Sequence, residues 1–107
     1  MPRRVRFNLV FAPEVVEHLA AIERRHHSLI KRAIGERLGH TPGSPTRNRK
    51  TLQEPADFGA TWELCCGPRN RFRVFYEVDE TEGTVWILAI GTKEGNRLLI
   101  GRGETQL

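Results

Sequence analysis

The sequence predicts an α+β domain, a β-sheet with an N-terminal helical hairpin laid over it, in the order β-α-α-β-β-β with a short C-terminal piece. Three observations predict it. Residues 4–11 alternate between apolar and polar; residues 13–38 carry two apolar stripes at helical spacing; and after residue 60 strand-like segments follow one another across short turns.

In the first segment Val5, Phe7, Leu9 and Phe11 share one face and Arg4, Arg6 and Asn8 the other, which is the pattern of a half-buried strand. Pro13 then suits a first helical position and Glu14 the positive helix end. Val15, Val16, Leu19, Ala20 and Ile22 form one stripe, so the first helix is expected over Pro13 to Arg25. Arg24-Arg25-His26-His27 breaks the pattern, and Ser28 is placed to cap the next helix. Leu29, Ile30, Ala33, Ile34 and Leu38 mark that helix, which Gly39 ends with Pro42 just beyond.

From His40 to Gly59 the chain is rich in Pro, Gly, Thr and Asn and holds the basic cluster Arg47-Asn48-Arg49-Lys50. A loop this long in a small domain is usually functional or mobile. Trp62, Leu64 and Cys66 then alternate with Thr61, Glu63 and Cys65. After the turn Gly67-Pro68-Arg69-Asn70, Phe72, Val74, Tyr76 and Val78 occupy one strand face and Arg71, Arg73, Phe75 and Glu77 the other. A second turn, Asp79 to Gly83, leads to Val85-Trp86-Ile87-Leu88-Ala89-Ile90, apolar on both sides like a central strand and closed by Gly91. Trp62 and Trp86 are both expected in the core.

At 107 residues the chain holds one domain, 1–107, with one modest core. Hydrophobic residues are 38% and charged residues 28%, ordinary for a globular protein. The net charge of +4 favours a polyanionic or acidic partner. No apolar run is long enough to cross a bilayer and no signal-peptide core follows Met1, so a cytoplasmic location without membrane attachment is expected. Cys65 and Cys66 are adjacent and point to opposite faces of a strand, which suits neither a disulfide framework nor a zinc site. His26-His27 lacks a third ligand at a suitable spacing and belongs to a helix turn, so no metal or other cofactor is expected.

The face carrying Arg71 and Arg73 is the most informative. Guanidinium groups bind phosphate oxygens bidentately and aromatic rings stack on bases. The face is therefore either a nucleic-acid surface or a solvated strand. Phe75 either stacks on a base there or packs beneath the C-terminal tail. Arg47, Arg49 and Lys50 either line the same groove or belong to a solvated loop.

Three words in order, Trp62-Glu63-Leu64, Arg71-Phe72-Arg73-Val74-Phe75-Tyr76 and Ile87-Leu88-Ala89-Ile90-Gly91-Thr92-Lys93-Glu94, following a helical hairpin, resemble the RelE/ParE superfamily of bacterial type II toxins. The match runs from the first strand to about Ile100. The resemblance implies a small twisted antiparallel sheet, the hairpin on one side and a basic concave face on the other. RelE-like members are ribosome-dependent ribonucleases that cut mRNA. ParE-like members share the fold and poison DNA gyrase. Both kinds are held in a hetero-oligomer by a co-encoded antitoxin. Fold alone does not choose between them.

Carried onto this chain, the RelE-like pattern assigns catalysis to Arg73, which would stabilise the pentacoordinate phosphate, and to Lys93. Arg71, Arg97, Arg49 and Lys50 become candidates for RNA contacts. The chain departs from the pattern at Thr61 and Glu63, where some relatives carry lysines, and at Leu99, where a tyrosine is expected. Proton transfer would fall to Lys50, His40 or Glu63. These departures motivate two alternatives: a ParE-like gyrase inhibitor, and a degenerate toxin that only binds its antitoxin.

Overall fold

The structure is a computed structural model, and it describes residues 6–39, 49–52, 59–101 and 103–105. The N-terminal start of the first expected strand and most of the 40–58 loop, with His40 and Arg47, lie outside the described residues. The chain runs β1 (Asn8–Phe11), α1 (Glu14–Ala20), a 3-10 turn (Arg24–His26), α2 (His27–Leu38), β2 (Arg49–Thr51), β3 (Trp62–Cys66), a second 3-10 turn (Pro68–Asn70), β4 (Phe72–Asp79), β5 (Thr84–Glu94), β6 (Arg97–Ile100) and β7 (Gly103–Thr105). One sheet contains all seven strands, in the order β2-β3-β4-β5-β6-β7, with β1 beside β5.

Every pairing is antiparallel but one. β1 joins β5 in parallel, with Asn8 opposite Thr84 and Phe11 opposite Ile87. β4 takes one edge of β5, so β1 and β6 share the other edge end to end, β1 along residues 84–87 and β6 along 91–94. The stretch between them would leave the Ile90 N–H without a strand partner. His18 fills that place, its Nδ1 accepting the Ile90 N–H at 3.3 Å. A buried amide without an acceptor is costly, so this side chain ties α1 to the interruption in the sheet edge.

The helices cover one face. Ile30, Ile34 and Leu38, spaced one turn apart on α2, pack with Val15 of α1 on Leu64, Cys66, Phe72, Val74, Tyr76, Val85, Ile87 and Ile90. The other face carries a smaller cluster, in which Phe75, Ala89, Leu98 and Ala60 are buried with Leu52, Leu88 and Ile100 against them. A bulge separates the two registers: Phe75 faces Ala89 while Tyr76 faces Ile87, leaving Leu88 as the extra residue.

Several local expectations are corrected. α1 ends at Ala20 because the chain turns extended at Glu23 (ψ 133°), and His27 Nε2 donates to the Ile22 carbonyl at 2.8 Å in place of a continuing turn. Ser28 is not the cap of α2, which begins at His27. Val16 is 72% exposed and Leu29 and Trp86 are also exposed, while Trp62 stacks on Tyr76 with centroids 6.0 Å apart. Gly91 does not end β5. It lies under Leu98 and Ile100 of β6, and a Cβ there would come within 2.7 Å of the Leu99 carbonyl oxygen. Close approach, not chain termination, requires that glycine.

Burial lowers the His18 pKa from its ordinary value near 6.5, against the opposing pull of Glu14 and Glu17. A histidine held neutral in the fold contributes stability that is complete above the unfolded pKa and is lost as pH falls toward the folded one. Urea unfolding should therefore show stability declining below about pH 6.5. His18→Ala should flatten that decline whatever its offset at neutral pH; an unchanged slope would remove the titration from His18.

Candidate nucleic-acid interface

Three neighbouring strands build the polar part of the sheet face turned away from the helices. Lys50 of β2 stands opposite Glu63 of β3, and Arg73 of β4 opposite Cys65 of β3 and Gly91 of β5. The space over Gly91 is taken by Leu98 and Ile100 of β6, so apolar side chains flank Arg73 on that side. Glu63 joins the row: its Oε2 accepts from Arg73 Nη1 at 3.3 Å and its Oε1 lies 3.5 Å from Lys50 Nζ. The Glu63 side chain is 6% exposed and that of Arg73 14%, whereas Lys50 reaches into solvent. A carboxylate this deep requires its cations, since removing one partner of a buried pair strands the other charge.

Arg73 has a second anchor in the hairpin between β3 and β4. Its Nε donates to the Asn70 carbonyl at 2.9 Å. The turn that presents this carbonyl is closed by Arg71 N–H to Pro68 C=O at 3.1 Å, and its central residues Arg69 (φ 57°) and Asn70 (φ 53°) both have left-handed backbone. That is the type I′ pattern, which matches the twist of paired strands. The guanidinium is thus held on Nε and Nη1 and keeps further N–H donors.

A cleft of about 680 Å³ opens over this arrangement, lined by Arg69, Asn70, Arg71, Arg73 and Lys93. It lies within the ~300–1,000 Å³ range of sites that hold small ligands. The ion pair with Glu63 therefore leaves space beside Arg73. Arg71 reaches Glu94 at 3.6 Å and lies 5.6 Å from the Phe72 ring centroid. Lys93 is positioned through its backbone, its N–H donating to the Arg71 carbonyl at 2.8 Å, and its side chain is exposed.

Of the residues singled out in the sequence, Arg71, Arg73 and Lys93 share the cleft, and Lys50 joins them through Glu63. Arg97 is exposed opposite Glu94, outside the cleft lining. Arg49 belongs to the other side. It stands opposite Leu64, is buried, and its Nη1 donates to the Arg37 carbonyl at 2.7 Å, satisfying the last turn of α2. One residue's difference from Lys50 places it on the helix face. Buried there, Arg49 is not placed to contact RNA, contrary to the expectation from the basic cluster.

Phe75 is fully buried with Ala89 and Leu98 and offers no ring for stacking. Leu99, opposite Thr92, lines a cavity of about 150 Å³ with His18 and His26 on the helix side. Leu98 and Ile100 are the β6 side chains beside Gly91, both apolar. Tyr76 is buried on the helix side, and burial raises its pKa. Burial also raises that of Cys65 against the pull of Arg73, so the thiol next to the guanidinium stays protonated. Among the described residues the cleft lining contains neither tyrosine nor histidine. Arg69 escaped notice in the sequence, where it reads as one residue of a turn.

A chain of the toxin–antitoxin complex RelBE2 from Mycobacterium tuberculosis is similar in structure, with a TM-score of 0.68 over 87% of this chain and 98% of that one. The fold is RelE-like. Identity between the two is 19%, so the likeness is one of architecture. No family model and no curated protein matches the sequence. The RelE-like fold accounts for the α+β layout, with the helices on one face of the sheet.

The inward position of Arg49 has a measurable consequence. Arg49→Ala should lower stability in urea by about 1.5–3 kcal/mol, the range for a hydrogen bond from a charged group. Its affinity for single-stranded RNA should stay within twofold of the parent protein, a result that a role in the groove would not give.

Proposed function

We propose that this chain is the toxin of a type II toxin–antitoxin system, an mRNA endoribonuclease acting on the ribosome in the cytoplasm and neutralised by a cognate antitoxin. The observation that carries the proposal is the convergence of Arg71, Arg73 and Lys93 on one open cleft of a RelE-like fold. That the similar structure is a toxin–antitoxin complex supports the antitoxin as partner.

The chemistry asks little of a protein. The ribose 2′-oxygen attacks the adjacent phosphorus, a 2′,3′-cyclic phosphate forms, and the 5′-oxygen leaves with a proton. Charge accumulates on the phosphoryl oxygens, and fixed cations in a cleft stabilise it without reorganising. Arg73, braced by Glu63 and the Asn70 carbonyl, serves as that fixed cation, and Lys93 is the second. Arg71 holds the flanking backbone once it exchanges Glu94 for phosphate, since both are exposed. Proton transfer is assigned to Lys50 and Glu63, which lie 3.5 Å apart and are joined to Arg73 through the Glu63 carboxylate. Loss of one electrostatic contact of this kind typically lowers rate ~10²–10³-fold.

One feature favours the gyrase-inhibitor alternative: the β6 side chains beside Arg73's row, Leu98 and Ile100, cannot move a proton. Mapping transcript 5′ ends minutes after induction separates the two. The nuclease produces new ends within translated reading frames and early arrest of protein synthesis. DNA breaks with translation initially intact would establish the other activity instead. Arg73→Gln removes the positive charge yet keeps an N–H donor for Glu63, and it should abolish growth inhibition while keeping the parent's circular-dichroism spectrum; full toxicity in that variant would exclude the proposed catalytic role.

A further inference from the structure

We infer that Arg69 is an additional phosphate-binding residue of the cleft, holding a second backbone phosphate of the RNA strand whose scissile phosphate lies at Arg73. This inference rests on the nuclease reading and adds a residue to its substrate site.

Three independent features lead to it. The first is backbone geometry. Arg69 and Asn70 are the non-glycine residues with left-handed φ among the described residues. A type I′ turn favours Asn-Gly at these two positions, because a Cβ is unfavourable there and Arg gains nothing from the local hydrogen bonds that help Asn. The strain is not forced by lack of space, since Arg69 is exposed. Unrelieved strain at an exposed turn points to a use for the side chain.

The second is position. Arg69 lines the same cleft as Arg71, Arg73 and Lys93. The turn is pinned from both ends. Asn70 N–H donates to the Gly67 carbonyl at 3.0 Å, and Gly67 (φ 81°) lies so close to Phe72 that a Cβ would stand 2.5 Å from its ring. The carbonyl that braces Arg73 belongs to Asn70, the next residue. One turn therefore carries both Arg69 and the carbonyl that braces Arg73.

The third is charge. Arg73 is paired with Glu63 and Arg71 with Glu94, and no carboxylate pairs with Arg69 among the described residues. Arg69 can meet phosphate without first giving up a partner. A bidentate guanidinium contact to a backbone phosphate is the chemistry it offers, indifferent to base identity.

Arg69→Gly separates use from fold, because glycine relaxes the turn as it removes the guanidinium. Tm should rise by a few degrees. Affinity of the full chain for a short 2′-O-methyl RNA, which cannot be cleaved, should fall about 5–20-fold at low salt. The slope of log K against log salt should shrink by about 0.7, one phosphate contact on a single strand. Arg69→Lys should keep that slope. If Arg69→Gly binds like the parent while a folded Arg73→Gln, which keeps an N–H donor for Glu63, binds weakly, the assignment of Arg69 is wrong and the nuclease reading stands. A fall in Tm for Arg69→Gly with unchanged binding would likewise make Arg69 a residue of the fold. If neither variant alters binding, the nucleic-acid reading fails, and Arg69's role with it.

Discussion

β5 is the constraint on which the other elements depend. Its eleven residues pair with β4 along one edge and with β1 and β6 in succession along the other. A strand with so many obligations cannot shift register without breaking several ladders at once. The helices then cover the face on which Val85, Ile87 and Ile90 project, and the opposite face receives the charged row. The bulge at Leu88 belongs to the same arrangement. It lets Phe75 and Ala89 pack on the far face while Tyr76 and Ile87 pack under the helices.

On that far face a buried acid organises two cations, one half-buried and one exposed. Glu63 sits between Lys50 and Arg73 across three strands, and its desolvation is offset only while both cations remain in place. The effect is to give the Arg73 guanidinium one orientation. A flexible arginine loses conformational entropy when it binds phosphate, whereas a braced one has already lost it on folding. The same economy applies to the β3–β4 turn, where a carbonyl fixed by left-handed backbone meets Arg73 Nε. Electrostatic stabilisation of a reacting phosphate depends on such preorganisation more than on the number of positive charges nearby.

Period-two patterning made much of the sheet readable. Phe72, Val74 and Tyr76 face the helices and Arg73 the other side, as alternation requires of any strand half buried on one face. The α2 stripe Ile30, Ile34 and Leu38 was legible for the same kind of reason. Trp86 and Val16 were misjudged because apolar character records what a residue tolerates, not whether a neighbour exists to cover it. Arg49 was misplaced because it lies in a basic cluster at a loop end, where no flanking pattern announces a three-residue strand. The gap at Leu99 was assigned on sequence position, and the register of β6 puts that side chain on the helix face.

By itself the sequence determined the helical hairpin, the long strands and the sidedness of β4, because these arise from interactions between residues close along the chain; the short strands β2 and β7 carry no such pattern. Tertiary structure alone decided the parallel docking of β1, the inward turn of Arg49, the bracing of Arg73 by Glu63 and the entry of Arg69 into the cleft. Each joins residues from separate elements: two strands, a strand and a helix, or a turn and the strands beside it. Their energies depend on register and on what covers them, and neither quantity is written in local spacing.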